Sequence, residues 1–104
     1  MKVAFDCDGT LKDYGGNLRD DMCRLLVAFI WSGAEVTVWS GGGKHYAEGV
    51  WHQVARQYDP DGLLPLDKFQ CKMKDKSKPD LVFDDEHVNL GIVNVCIPPK
   101  RTED

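Results

Sequence analysis

Short apolar runs alternate along the chain with longer segments of mixed polarity. The runs cover residues 3–5, 35–39, 69–73, 80–83 and 93–97. Each has the length of a buried β-strand. Between the runs, apolar residues recur at helical spacing, which predicts one helix that follows an N-cap at Asn17 and ends at Gly33. A second helix is predicted from about residue 44 to residue 58. Strands that alternate with helices indicate an α/β fold around a parallel sheet.

Two aspartates, Asp6 and Asp8, come directly after the first predicted strand. Alternate residues of a strand point the same way, so we expect both carboxylates on one face and Cys7 directed elsewhere. Two like charges this close cost free energy unless a cation lies between them or one of them is protonated. The pair therefore indicates a functional site. The simpler alternative is an acidic turn exposed to solvent.

Polar side chains also follow two later strands. Ser40 and three glycines, Gly41–Gly43, come at the end of one strand, and Asp84 and Asp85 come at the end of another. The carboxyl ends of parallel strands meet at one edge, where open α/β sheets bind their ligands. We therefore expect these side chains and the Asp6 pair to meet in one site.

With these three strand ends in this order, the chain resembles the haloacid dehalogenase (HAD) superfamily of phosphatases and phosphotransferases. The first motif of that family, Asp-x-Asp-Gly-Thr, matches Asp6–Thr10. The second, a strand ending in Ser or Thr before Gly, matches Val36–Gly41, and the fourth, a strand ending in paired acids, matches Val82–Asp85. The likeness covers about residues 2–98 and implies a three-layer, Rossmann-like (HAD-like) fold. Its central parallel sheet would have about five strands with the first in the middle, and residues 1–104 would form one hydrolase domain without a cap domain.

The resemblance implies a phosphatase that hydrolyses phosphomonoesters through an aspartyl-phosphate intermediate. Asp6 would be the nucleophile, since a carboxylate can attack phosphorus and split one difficult displacement into two. Asp8 would protonate the leaving oxygen and later deprotonate the attacking water. Ser40 and a lysine would complete the implied catalytic set.

The family pattern also implies a phosphate site and a magnesium site. The phosphate-binding residues would be Ser40, Gly41, Gly9 and Thr10. The metal ligands would be Asp6, Asp8 through its backbone carbonyl, Asp84 and Asp85. Magnesium suits such a set because it is a hard cation that prefers oxygen ligands and retains water and substrate phosphate.

The catalytic lysine stays open among four candidates: Lys72, Lys74, Lys76 and Lys78. Lys72 lies within a predicted strand and is the least favoured, and Lys78 is placed third. Lys74 lies at the carboxyl end of that strand, where active-site residues of such a sheet gather. Lys76 has a spacing to Asp84 that is typical of small capless relatives, so we weight it equally with Lys74. The alternative is that the whole lysine run is exposed to solvent.

Composition narrows the class of protein. With 104 residues, 42% of them hydrophobic and 29% charged, the chain is an ordinary globular domain in composition. No apolar run approaches the roughly 20 residues that span a bilayer, and the first strand starts at once, so we expect no membrane partner and no secretory signal. Four cysteines without a metal or redox spacing favour free thiols and a cytoplasmic location. The net charge of −4 argues against general nucleic-acid binding.

The short connections leave no room for a cap, because the first predicted helix follows the flap at residues 11–16 almost at once. An open site favours a large substrate such as a polynucleotide end, a phosphoprotein or a phosphorylated glycan, or a partner or second subunit that closes over it. The alternative is a non-catalytic chain, either a phosphate-accepting domain of receiver type or a metal-binding interaction module. Residues 100–104 are expected to form a mobile tail.

Overall fold

The computed structural model of the protein describes residues 1–98. It contains β1 (Lys2–Asp6), α1 (Asp20–Trp31), β2 (Glu35–Ser40), α2 (Lys44–Tyr58), β3 (Phe69–Met73), β4 (Leu81–Asp84) and β5 (Val93–Cys96). The predicted α/β fold is therefore confirmed, and the described residues include no cap. The tail predicted at 100–104 lies outside the described residues. Neither α1 nor α2 is long and apolar enough to cross a lipid bilayer.

The five strands form one parallel sheet in the order β3-β2-β1-β4-β5. The first strand is central, as predicted, and pairs with β2 on one side and β4 on the other. In this register Asp6 lies opposite Trp39, one residue before Ser40, and Phe5 lies opposite Phe83, one residue before Asp84. The pairing therefore brings the polar ends of β1, β2 and β4 to neighbouring positions on one edge.

Both helices pack against the same face of the sheet. Apolar residues at alternate strand positions, Phe5 and Phe83 among them, form one core with residues of α1 and α2. The rings of Phe5 and Phe83 stack with centroids 4.9 Å apart, and Phe29 of α1 meets Phe5 edge-on at 6.1 Å. Burial of this face supplies most of the driving force for folding, since apolar burial is the dominant favourable contribution.

Loop segments form the layer on the opposite face. Ala4, Trp39 and Val82 make a smaller cluster there, against which Val88 and Leu90 pack. Asn94 of β5 fixes this loop, because its side-chain oxygen accepts the N–H groups of Leu90 and Gly91 at 3.0 and 2.8 Å. Its amide also donates to the Gly91 carbonyl at 2.8 Å.

The part of this face formed by β1, β2 and β3 is less covered. A groove of about 390 Å³ lies there, lined by side chains that include Ala4, Thr37, Trp39, Gln70 and Lys72. These residues lie on the strands themselves, away from the acids at the carboxyl edge. The candidate site is therefore not part of this groove.

The start of α1 differs from the prediction. The N-cap residue is Arg19, in an extended conformation, and not Asn17. Tertiary contacts outweigh the local capping preference of Asn17, because Leu18 bridges to Lys12 and the Arg19 N–H donates to the Leu11 carbonyl at 2.8 Å. Arg19 is buried, and its guanidinium donates to the carbonyls of Gly9 and Pro98. Residues 17–19 therefore support the loop after β1 instead of the helix.

Gly91 lies where the loop layer packs closely against the sheet. A Cβ at this position would lie 2.6 Å from Val82 Cγ2 and 2.9 Å from the Pro79 carbonyl oxygen, which accepts the Ile92 N–H. We expect Gly91→Ala to lower the free energy of unfolding by about 1–3 kcal/mol, the usual cost of overpacking. Urea denaturation followed by circular dichroism measures the change.

Gly49 provides the matched control, because it lies within α2 and a Cβ there would meet nothing within 4 Å. Gly49→Ala should raise the free energy of unfolding by up to about 1 kcal/mol, the helix-propensity difference between the two residues. Equal urea midpoints for Gly91→Ala and the wild type would show that the loop accommodates the methyl group.

Candidate active site at the carboxyl edge of the sheet

Three carboxylates meet where β1 and β4 end. Asp6 and Asp84 are the last residues of these neighbouring strands, and Asp85 follows directly. One carboxylate oxygen from each lies within 4.8 Å of the others. Asp6 and Asp84 are buried, with 5% and 1% of their surface exposed. The structure therefore brings together three of the four acids predicted for the site.

Of the four lysine candidates, Lys74 reaches these acids. Its ammonium lies 2.8 Å from Asp6 Oδ1 and 2.8 Å from Asp84 Oδ2. The end of β3 sets its position, since the Lys74 N–H donates to the Ser40 carbonyl at 3.1 Å. Lys72 instead contacts Asp75 and Ser77 beside the groove described above.

Lys76 and Lys78, the remaining candidates, are both exposed. None of the ion pairs found within residues 1–98 joins either of them to the acids. Lys78 has a left-handed backbone with φ of 58°. The ion pairs with Asp6 and Asp84 thus favour Lys74 over Lys76, whereas the sequence favoured the two lysines equally.

Burial and the hydrogen bond from Lys74 are the two largest influences on the pKa of Asp6, and they act in opposite directions. Burial raises the pKa of its carboxyl, the hydrogen bond from Lys74 lowers it and the Asp84 charge raises it again, and the net result is a pKa of about 7. For Lys74, burial opposes the charge, but its hydrogen bonds to Asp6 and Asp84 outweigh that cost and raise its pKa. One ammonium therefore faces three carboxylates, and the site has an excess of negative charge.

Gly9 and Thr10, also predicted to bind phosphate, form hydrogen bonds within the loop after β1. Both are buried, the Gly9 N–H donates to the Lys12 carbonyl at 2.7 Å, and the Thr10 N–H donates to the Cys7 carbonyl at 3.2 Å. The Thr10 hydroxyl donates to Asp6 Oδ2 at 3.3 Å. Their N–H groups thus bond within the loop, and the Thr10 hydroxyl contacts the Asp6 carboxylate.

Gly9 also allows Asp85 to approach the loop. Its φ is +83°, a conformation that other residues rarely adopt, and a Cβ here would run into the Asp85 carboxylate. The carboxylate oxygen nearest to Gly9, Asp85 Oδ2, also accepts a hydrogen bond from the hydroxyl of Tyr14, a residue of the loop after β1 that is 72% exposed. Tyr14 was absent from the predicted set because a contact 71 residues apart leaves no local pattern.

Ser40 and Gly41, two of the predicted phosphate-binding residues, lie at the same edge of the sheet. The Ser40 hydroxyl is nearly buried and accepts the Gly42 N–H at 2.9 Å, which leaves its own hydrogen to donate. Gly41 is exposed, and its N–H has no acceptor among residues 1–98. The α2 helix then begins with Gly43 as its N-cap and without a side-chain cap. Together these groups present hydrogen-bond donors beside the carboxylates.

Asp8 lies apart from the three clustered acids. Its side chain is half exposed, and its Oδ1 is 3.7 Å from the Lys12 ammonium. The same oxygen accepts a hydrogen bond from the hydroxyl of Tyr46 in the first turn of α2. Neither Lys12 nor Tyr46 belonged to the predicted site. The position of Tyr46 a few residues after Ser40 is the signal that could have identified it.

The donor set fits a hard divalent cation. Three carboxylates converge within 4.8 Å, and one ammonium offsets only part of their charge. Carboxylate oxygens are the ligands that magnesium prefers, commonly one or two of them together with substrate phosphate and water. Asp6, Asp84 and Asp85 are the residues able to hold such an ion.

Comparison of the chain with protein-family models, with curated proteins and with solved structures found no match. The chemistry of the site therefore rests on its own residues and contacts.

The raised pKa of Asp6 makes metal-free stability depend on pH. This carboxyl titrates near 3.8 in the unfolded chain and near 7 in the folded chain. Between these values the folded state holds a proton that the unfolded state has lost, so stability falls as pH rises from about 4 to about 7. We expect Asp6→Asn, in EDTA, to raise Tm at about pH 8 and to change it little near pH 4. A gain of ~1 kcal/mol corresponds to roughly 4–8 °C.

Asp61→Asn is the matched control, because Asp61 is exposed in the turn after α2. Thermal denaturation followed by circular dichroism across this pH range measures the three proteins. An Asp6→Asn protein that is no more stable than the wild type at high pH would contradict the electrostatic account of the site.

Proposed function

We propose that the chain is a magnesium-dependent phosphatase of HAD type that hydrolyses phosphomonoesters through an aspartyl-phosphate on Asp6. The observation that carries this proposal is the bridge of Lys74 between Asp6 and Asp84. This contact supports the proposal because the carboxylate proposed as nucleophile, a cation and a second carboxylate lie together on one sheet edge. The match of Asp6–Thr10 and Val82–Asp85 to the family motifs supports the same reaction.

In the first step, a carboxylate oxygen of Asp6 attacks phosphorus, and the bond from phosphorus to the leaving oxygen breaks. Asp8 gives its proton to that oxygen, and the product leaves as an alcohol. In the second step, Asp8 takes a proton from water, whose oxygen attacks the phosphorus. The bond to Asp6 breaks, inorganic phosphate leaves, and both carboxyl groups return to their first state.

The remaining groups orient the phosphoryl group and stabilise its charge. The Ser40 hydroxyl and the Gly41 N–H donate hydrogen bonds to phosphoryl oxygens, which geometry permits because neither hydrogen is used within residues 1–98. Lys74 offsets negative charge on both Asp6 and the transferring group. Catalysis of phosphoryl transfer consists mainly of such positioning and charge stabilisation.

Magnesium would be held by Asp6, Asp84, Asp85 and the backbone carbonyl of Asp8. When bound, it offsets the negative charge of the carboxylates and of the substrate phosphate. The excess of carboxylates over ammonium groups in this cluster supports a divalent ion.

The open edge favours a large substrate. Between Ser40 and Lys74 the chain holds only α2 and β3, and between Asp6 and α1 only a short loop. The proposed substrates are a polynucleotide end, a phosphoprotein or a phosphorylated glycan. If a partner or a second subunit covered this edge, the enclosed site would also suit smaller phosphate esters.

Hydrolysis of p-nitrophenyl phosphate tests the proposal directly. We expect turnover with magnesium, its loss in EDTA and its recovery when magnesium is restored. Asp6→Asn should lower kcat by at least about a thousandfold, since loss of a nucleophile removes the covalent route. Asp61→Asn is again the control and should retain wild-type turnover.

Two further outcomes separate the alternatives. An Asp6→Asn protein with wild-type turnover would exclude the aspartyl-phosphate mechanism. A wild-type chain that binds magnesium but has no turnover, on this ester or on phosphorylated macromolecules, would instead favour a phosphate-accepting or metal-binding interaction module.

A further inference from the structure

We propose that Tyr46 is a positioning residue that holds Asp8 in the orientation needed to protonate the leaving oxygen. This role rests on the proposed phosphatase reaction and goes beyond it, because it concerns which esters the site cleaves well. The hydrogen bond that Tyr46 donates goes to Asp8 and not to an acid of the cluster, so Tyr46 acts through Asp8.

Three contacts join Tyr46, Lys12 and Asp8. The Tyr46 hydroxyl donates to Asp8 Oδ1, and the Lys12 ammonium lies 3.7 Å from the same oxygen. The Lys12 ammonium also lies over the Tyr46 ring, 5.2 Å from its centroid. Each of the three side chains therefore contacts the other two, which restricts the rotation of all three.

The loop of three glycines after β2, Gly41–Gly43, sets the position of Tyr46 beside Asp8. Gly43 has a φ of +105° and turns the chain into α2, whose third residue is Tyr46. A Cβ on Gly42 would lie 3.5 Å from Tyr46 Cγ and 3.3 Å from the Ser40 hydroxyl oxygen. A side chain at Gly42 would thus crowd the Ser40 hydroxyl, whereas the ring of Tyr46 lies at ordinary van der Waals distance. The phosphate-binding donors and the Tyr46 hydroxyl are therefore set by one turn.

The contacts divide the two oxygens of Asp8 by role. Both Tyr46 and Lys12 engage Oδ1, so Oδ2 is the oxygen that carries the proton to the leaving group. Asp8 has a half-exposed side chain in the loop after β1, where burial does little to fix its rotamer. Without the Tyr46 hydroxyl, we expect the carboxyl to turn away from the ester oxygen in part of the molecules.

This role predicts a dependence on the leaving group. An alkoxide is a poor leaving group and needs a proton from Asp8, whereas 2,4-dinitrophenolate departs without one. General acid catalysis contributes about 10²–10⁴-fold where it is needed. Loss of its orientation should therefore lower the rate for alkyl esters and leave the activated aryl ester almost unchanged.

The experiment compares kcat/KM of Tyr46→Phe and wild type for glycerol 2-phosphate and 2,4-dinitrophenyl phosphate, with magnesium. We expect a loss of about tenfold or more for the alkyl ester and less than about threefold for the aryl ester. Because both substrates are measured on one preparation, the ratio of the two rates does not depend on the folded fraction.

Tyr58→Phe is the matched control. Tyr58 lies at the other end of α2, and its hydroxyl donates to an aspartate, Asp20, at 2.7 Å. The substitution removes the same kind of hydrogen bond away from the site, so it should leave the ratio at its wild-type value.

An active wild type whose ratio is unchanged by Tyr46→Phe would overturn the role of Tyr46 and leave the phosphatase reaction standing. Equal losses for both esters would also overturn it, since a general structural defect acts on both. A wild type without turnover of either ester would overturn the proposed reaction, and the role of Tyr46 with it.

Discussion

The bridge of the Lys74 ammonium between Asp6 and Asp84 is the contact on which the carboxyl edge of this sheet depends. Parallel pairing of β1 with β4 forces the two carboxylates together at buried positions, where their repulsion opposes the pairing. Lys74 comes from the far side of β1, and its N–H bond to the Ser40 carbonyl fixes where it leaves β3. A single side chain therefore connects the ends of β3, β1 and β4.

This bridge stabilises the edge without balancing its charge. The Lys74 ammonium contacts two of the three clustered carboxylates, the pKa of Asp6 remains raised, mainly by burial, and Thr10 adds only one hydrogen bond. A site optimised for stability alone would bury fewer acids, since unpaired charge in a low-dielectric setting is costly. The remaining stability comes from the helix-covered face, where stacked rings and aliphatic side chains are fully packed. Such a concentration of unfavourable charge on one edge is characteristic of functional sites.

The ends of the strands were predictable from the sequence. The identity of the lysine, the start of α1 and the contacts of the two tyrosines were not. Apolar runs that stop at Asp6, Ser40 and Asp84 predict these strand ends directly, because the length of a strand is visible in the local sequence. The carboxyl ends of parallel strands meet at one edge in any such sheet, so their common position was predictable too. Lys74 and Lys76 could not be separated, since the choice depends on the pairing of β3 with β2. Asn17 was wrong as a cap because residues 17–19 bond to the loop after β1. Tyr14 and Tyr46 were missed since their partners lie 71 and 38 residues away.

Asp6 and Asp8 are two residues apart but belong to separate charge groups. The turn between them is tight, because the Cys7 carbonyl accepts the N–H groups of residues 10, 11 and 12. Asp6 therefore contacts the partly buried Lys74, whereas Asp8, half exposed, lies beside Lys12 and Tyr46. In the proposed reaction, separate partners let one carboxyl attack phosphorus while the other holds the proton for the leaving group.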